Sequence, residues 1–200
     1  MHIQPYSIVS AAWPDTGQVV LAQFDDNDIV VYQAYRSEIA EFAVNHQRFG
    51  GAFSFTRMSW IKPNFLWMMF RSGWASKPDQ ERILAVTIPR VLFDSFQQQA
   101  VASSFTASGL PTEAEWRHAV EHSDVRLQWD PDHDPYGKPL ARRVVQLGLR
   151  NQALRQYAVE QVVSIRDITP FVVAQRAHVE AGRLELLQVP VEQVYPQRRT

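Results

Sequence analysis

Apolar residues that alternate with polar ones, or recur every three to four positions, divide this 200-residue chain into a mixed series of strands and helices. Residues 19–24 and 29–35 are rich in β-branched and aromatic side chains and flank Asp25-Asp26-Asn27-Asp28, which predicts a β-hairpin. Ser37 then stands before Ile39, Phe42, Ala43 and His46, a helical spacing with a capping residue in front. After Gly50-Gly51 a short strand is expected over 53–58, and Pro63 fits the first turn of a helix ending near Gly73. Because Phe65, Leu66, Met68, Met69 and Phe70 surround that helix with apolar groups, it is expected to be buried, along Phe65, Leu66 and Met69 above all. Residues 83–88 read as an apolar strand, and Pro89 opens a helix through Phe96. Residues 97–111 fit a loop or a frayed helix equally. Thr112 and Glu115 form a capping box for a helix through Glu121. Strands at 125–129 and 144–149 flank a polar loop at 130–138. Helices over 151–161 and 170–181, the second closed by Gly182, and an extended stretch at 184–189 complete the series.

Helices and strands follow one another without a strict βαβ rhythm. An α+β fold is therefore expected, with a mixed or antiparallel sheet core and flanking helices rather than a doubly wound sheet. No repeat or low-complexity tract interrupts the pattern, so residues 1–200 read as a single globular domain.

Composition narrows the chemistry. Hydrophobic content of 46% with a net charge of −1 is that of a chain able to bury a core. The chain has no cysteine, which removes disulfides, thiolate metal sites and cysteine nucleophiles. No signal-peptide pattern precedes residue 12, and the longest apolar run, 65–70, is too short to span a bilayer, so a cytoplasmic protein without a membrane partner is expected. Charge is segregated along the chain. Residues 57–90 hold six bases and two acids, and residues 138–155 hold five bases and no acid. Two such blocks are ordinary solvated faces or converge on one anionic ligand.

Neither a glycine-rich phosphate loop nor a GxSxG elbow is present. The segment 53–74 holds three of the six tryptophans, with Arg57, Lys62 and Arg71 among them. Its residues serve either as core with snorkelling cations or as an anion site. Arg57 in an apolar strand would be costly unless paired. A helix starting just after Lys62 would add its free N–H groups to those charges, with Trp60 or Tyr35 able to stack on a base. Asp130, Asp132 and Asp134 alternate like a calcium loop, but Pro135 stands where the loop needs glycine, which leaves an Asx- and Pro-rich turn. Asp130 remains a candidate for a ribose hydroxyl. His118 and His122 stand four apart with Asp124 beyond, yet Ala119 replaces the glutamate of metalloprotease helices, so no metal is expected. Arg142 and Arg143 point to opposite faces of one strand, Gln146 shares the face of Arg142, and Arg143 is a further ligand candidate.

FSFTRMSWIKPNFLWMMFRSGW, VYQAYRSEIA, QWDPDHD, RRVVQLGLR and VVSIRDITP together resemble the domain-of-unknown-function family 4291, over roughly residues 19–173. Membership implies no assigned chemistry. A weaker likeness is to ADP-ribosyltransferase-like folds, which include RNA 2′-phosphotransferases. It implies NAD as cofactor, with Gln33 where His or Arg is usual, residues 53–57 in place of a Phe-x-Ser-Thr-Ser strand, and Gln146 where a glutamate is usual.

The expected function is an enzyme-like domain that binds a nucleotide or phosphorylated ligand, with Arg57, Lys62 and Arg71 on the anion. For a transferase, Gln33, Arg57 and Gln146 would be the catalytic set, and Tyr35, Trp60, Lys62, Arg71, Arg143 and Asp130 the ligand-binding set. The alternative is a non-enzymatic module that binds RNA or a protein through the aromatic and basic face of 53–74.

Overall fold

The computed structural model describes residues 1–196. Its first half runs β1 (Ile3–Pro5), α1 (Tyr6–Ser10), β2 (Gln18–Val19), β3 (Leu21–Ala22), β4 (Asp28–Tyr35), α2 (Ser37–His46), β5 (Ser59–Ile61) and α3 (Phe65–Ser72). Next come β6 (Arg82–Pro89), α4 (Arg90–Gln99), β7 (Val101–Ala102), α5 (Glu113–His122), β8 (Val125–His133) and β9 (Pro139–Leu149). The chain then follows α6 (Asn151–Arg155), a π-helical turn (Gln156–Glu160), β10 (Ser164–Asp167), α7 (Thr169–Glu180), β11 (Gln188–Pro190) and β12 (Gln193–Val194). The fold is α+β, with one antiparallel and one mixed principal sheet.

The first sheet has the order β10-β6-β4, with β6 antiparallel to both neighbours. It is covered on both faces. Val31, Leu84, Val86 and Ile88 face one apolar cluster with α2, α4 and α6, while Tyr32, Ile83 and Ala85 face a second with α3 and α7. Burial on both faces explains why residues 83–88 read as a continuous apolar run rather than an alternating one. The second sheet is built on the β8–β9 hairpin, with β7 parallel to β8, β2 parallel to β9, and β5 antiparallel to β9. One bridge joins the two sheets: Tyr32 N donates to Lys62 O at 2.7 Å, and Lys62 N to Tyr32 O at 3.4 Å. Beyond it the sheets part. Two short antiparallel pairs, β1–β11 and β3–β12, tie the chain's ends to the body.

Several expected elements are shifted. Residues 53–58 form no strand, with bends at 55–57, and the strand begins at Ser59. The turn at Asp25 is present, with Oδ1 accepting from Asn27 N and Asp28 N. Its arms meet at one antiparallel bridge, Phe24 to Ile29, with Val30 N donating to Gln23 O at 2.9 Å, and pair no further, because β2 and β3 pair with β9 and β12 while β4 pairs with β6. The loop expected over 130–138 shrinks to a turn: β8 continues through Asp130 to His133 with a bulge, and Asp134 Oδ1 accepts from Tyr136 N and Lys138 N. Pro63 lies outside α3, whose N-cap is Asn64, with Oδ1 accepting from Trp67 N at 2.7 Å. Gly73, at φ +58°, ends that helix in the left-handed conformation that glycine adopts without a Cβ clash. Phe65, Leu66 and Met69 are fully buried, as the apolar spacing predicts.

Candidate functional site

Where the two sheets separate, the gap is bridged by a side chain. Gln33, on β4 and 3% exposed, donates from Nε2 to Trp60 O at 3.0 Å and to Ser59 Oγ at 2.8 Å. Its Oε1 accepts from Tyr157 Oη at 2.7 Å. The amide thus replaces the ladder bonds that β4 and β5 no longer make, and a π-helical turn delivers the tyrosine that completes it. Tyr35 Oη meets Ser59 Oγ at 3.0 Å, and burial, against the bonds to Ser59 and Gln33, pushes its phenol pKa up. These groups form the back of a cavity of about 690 Å³.

The floor of the cavity is the outward face of β5, β9 and β8. Trp60 crosses β9 at Gly148, where an added Cβ would stand 3.0 Å from the indole and 2.6 Å from Met58 Sδ. Beside it lie Gln146 and Gln128, opposite one another in the hairpin register. Both send Nε2 to one carboxylate, Gln128 to Asp130 Oδ1 at 2.7 Å and Gln146 to Asp130 Oδ2 at 2.6 Å. Asp130 therefore sits beside them on the same sheet face as the group that orients two amides. Gln146 Oε1 is left as an acceptor with no donor among the described residues.

The charged part of the lining is Arg36, Arg57, Lys62 and Arg71 against Asp79. Arg36 pairs with Glu38 at 3.2 Å, and Arg71 donates to Gln80 Oε1 at 3.1 Å, both at the exposed rim. Arg57 is exposed on the bend before β5 and has no ion-pair partner among the described residues. The cost expected for a charge in an apolar strand therefore does not arise. Lys62 is the deep one. It is 5% exposed, its Nζ lies 4.3 Å from the Trp67 ring centroid, and no carboxylate of the described residues is within ion-pair distance. Burial, helped by the nearby Arg71 charge and opposed by Asp130, brings its pKa from 10.5 down to about 7.

The expected site residues thus fall into three groups. Tyr35, Trp60, Lys62, Arg57, Arg71, Gln33 and Gln146 share one cavity, although the amide of Gln33 is already saturated. Asp130 lies outside that cavity's lining, on the same sheet face, and holds the two amides. Arg143 is elsewhere: it is exposed and donates to Trp129 O at 2.9 and 3.1 Å. Its neighbour Arg142 is the arginine that turns inward, paired to the buried Asp132 at 2.6 Å, with Trp13 beneath its guanidinium. The N–H groups expected to help bind an anion are occupied as well. Phe65 N donates to Glu192 Oε1 at 2.6 Å, and Asn64 Nδ2 to Glu192 Oε2 at 3.2 Å. His118 and His122 stack on one another at 4.1 Å, while Asp124 accepts from Asn151 and from Gln152 N, so the three do not converge.

A family model described as a domain of unknown function, DUF4291, matches residues 19–195. The chain belongs to that family. No curated protein matches it. The DUF4291 match includes every element that builds the cavity, from β4 to β9 and the π-helical turn that carries Tyr157. The likeness to ADP-ribosyltransferases depended on a strand at 53–57, and in this DUF4291 chain that segment is irregular. Gln128, Ser59 and Tyr157 were not among the expected site residues. Gln128 was within reach of the sequence, since a hairpin closing near Tyr136 puts it across from Gln146 on one face. Tyr157 was not, because its partner Gln33 is 124 positions away. Among the described residues no helix is long and apolar enough to cross a membrane.

Proposed function

We propose that the cavity binds a nucleotide or another phosphorylated ligand. The observation that carries this reading is the lining: four cations against one carboxylate in a chain of net charge −1, grouped around the half-buried Trp60 indole. Arg57 and Arg71 take the anion at the rim. Trp60, held flat over Gly148, offers a stacking face to a planar ring, and amide Oε1 of Gln146 accepts from a hydroxyl such as that of ribose. NAD belongs to this ligand class, and a transferase would draw its transition-state stabilisation from the same arginines. Gln33 acts on this reading as a positioning residue for β5 rather than as a catalytic one.

The test is titration of ATP, AMP and NAD into the protein, followed by intrinsic tryptophan fluorescence and calorimetry. Arg57→Ala should weaken binding by ~1.5–3 kcal/mol, the value of a charge-assisted hydrogen bond, with no change in melting temperature because the side chain is exposed and unpaired. Unchanged affinity in the folded variant, or no binding by the parent protein at millimolar ligand, would remove the reading.

A further inference from the structure

The two kinds of cation in this cavity do different work. Arg57 and Arg71 are exposed at its mouth, whereas Lys62 is almost wholly buried at the seam of the two sheets. An anion held by the rim arginines leaves the opposite end of the ligand to meet the lysine. Lys62 is also denied a counter-ion by construction. The nearest carboxylate with an influence on it, Asp130, has both oxygens engaged by the amides of Gln128 and Gln146. Its ammonium also faces the Trp67 ring and the positive charge of Arg71. A cation over an indole gains something, but an unpaired ammonium out of water costs more, and the balance brings the pKa to about 7. Near neutrality a large share of Lys62 is free amine, the form that is nucleophilic.

We propose that Lys62 is the reactive group of the cavity and condenses with the carbonyl of a phosphorylated aldehyde or ketone held by the rim arginines. The inference rests on the reading of the cavity as a phosphorylated-ligand site and narrows it to one ligand class. In the step, the Nζ lone pair attacks the carbonyl carbon and the C=O pair moves to oxygen. A proton passes from nitrogen to that oxygen to give a carbinolamine. Loss of the hydroxyl as water, with the second N–H proton, leaves the C=N bond of an imine. One amine and one carbonyl give one imine and one water, with no change of oxidation state.

The chain has three lysines, Lys62, Lys77 and Lys138, so the site of reaction can be read directly. Lys77 and Lys138 are exposed, and Lys77 Nζ donates to the carbonyls of Phe70 and Arg71 at the end of α3. The probe is pyridoxal 5′-phosphate, an aromatic aldehyde with a phosphate, added at pH 7 to the intact protein. Borohydride reduction and peptide mapping then locate the product. Reaction at Lys62 is expected to be at least ~10-fold faster than at Lys77 or Lys138, with a rate that rises through pH 7 and levels off above it. Pyridoxal without the phosphate should label Lys62 more slowly, and Arg57→Ala should reduce the difference between the two probes. Equal labelling of all three lysines, or none at Lys62, overturns the proposal even where nucleotides bind. Fast labelling of Lys62 by both probes alike keeps the reactive amine and overturns the phosphate reading on which the ligand class depends.

Discussion

A lysine and a glutamine show how one cavity holds two side chains with opposite energetic roles. Gln33 has each of its amide atoms satisfied, so it stabilises the seam it occupies. Lys62 has the Trp67 ring but no counter-ion among the described residues, so it weakens the fold wherever it must be protonated. Its pKa falls from 10.5 to about 7 on folding. Between those values the unfolded chain holds a proton that the folded chain lacks, and stability rises with pH across that window. Below pH 7 both states are charged and the burial penalty is felt in full. Lys62→Met keeps an unbranched side chain of similar length and removes the charge. It is expected to stabilise the protein at pH 6 by roughly 2 kcal/mol, allowing for the lost contact with Trp67, or ~6 °C in melting temperature. The gain should shrink toward pH 10. Thermal melts of parent and variant at pH 6, 8 and 9.5 measure it, and a variant that melts lower than the parent at pH 6 would mean that the empty protein favours the ammonium. Substituting a functional group commonly raises stability in this way, whereas a lysine held by a counter-ion would lose stability on the same change. The position of Lys62 beside Trp60 was legible in the sequence. Its lack of a partner was not, since that depends on Gln128 and Gln146 occupying Asp130 on the β8–β9 hairpin, more than sixty positions further along the chain.

Among the elements, α3 shows both what a local pattern determines and where it stops. Its all-round apolar composition foretold burial, and the left-handed Gly73 foretold its end. Its beginning was read one turn-position early, at Pro63, because the capping by Asn64 is reinforced by Glu192 from 127 and 128 positions away. No window of sequence contains that contact. For the same reason 53–58 read as a strand: its alternating Phe53 and Phe55 suit one, but both turn into the cluster around Phe49 and Tyr35 instead of pairing with a neighbouring strand. Glu192 itself is fully buried, and burial pushes its pKa well up, while the bond from Phe65 N pulls it down. Both carboxyl oxygens accept, an arrangement suited to the anion at a helix N-terminus. Glu192→Gln would turn an NH₂ group toward either Phe65 N or Asn64 Nδ2. Asn64 cannot rotate its amide to compensate, because its Oδ1 already receives Trp67 N. A loss of ~1–3 kcal/mol in urea unfolding at pH 7 is expected. A neutral result would show instead that Glu192 already carries a proton in the folded protein.

Across the whole molecule, the segregation of charge along the chain resolves into two separate uses. The bases of 57–90 supply Arg57, Lys62 and Arg71 to the cavity. Those of 138–155 do not join them. Arg142 neutralises Asp132, and Arg150, with Arg126, donates to the carbonyls at the end of α5. Three cations of the 57–90 block are therefore gathered in one concavity on a chain of net charge −1. That distribution separates a small phosphorylated ligand from a polynucleotide by their response to salt. A single-stranded nucleic acid held along the segment 53–74 through its three cations would lose roughly two orders of magnitude in affinity for a tenfold rise in salt. A mononucleotide held by the two rim arginines should lose only about one order, by the same counting of about two ion contacts. Titrations of AMP and of an oligouridylate at 50 and 500 mM sodium chloride, each with parent and Arg57→Ala protein, give both slopes. The cavity reading expects the shallow slope for AMP, a further flattening in the variant, and weak binding of the oligonucleotide at either salt. A tight, steeply salt-dependent oligonucleotide complex that survives Arg57→Ala would place the functional surface outside the cavity, and the reactive lysine would then have no anionic ligand to receive.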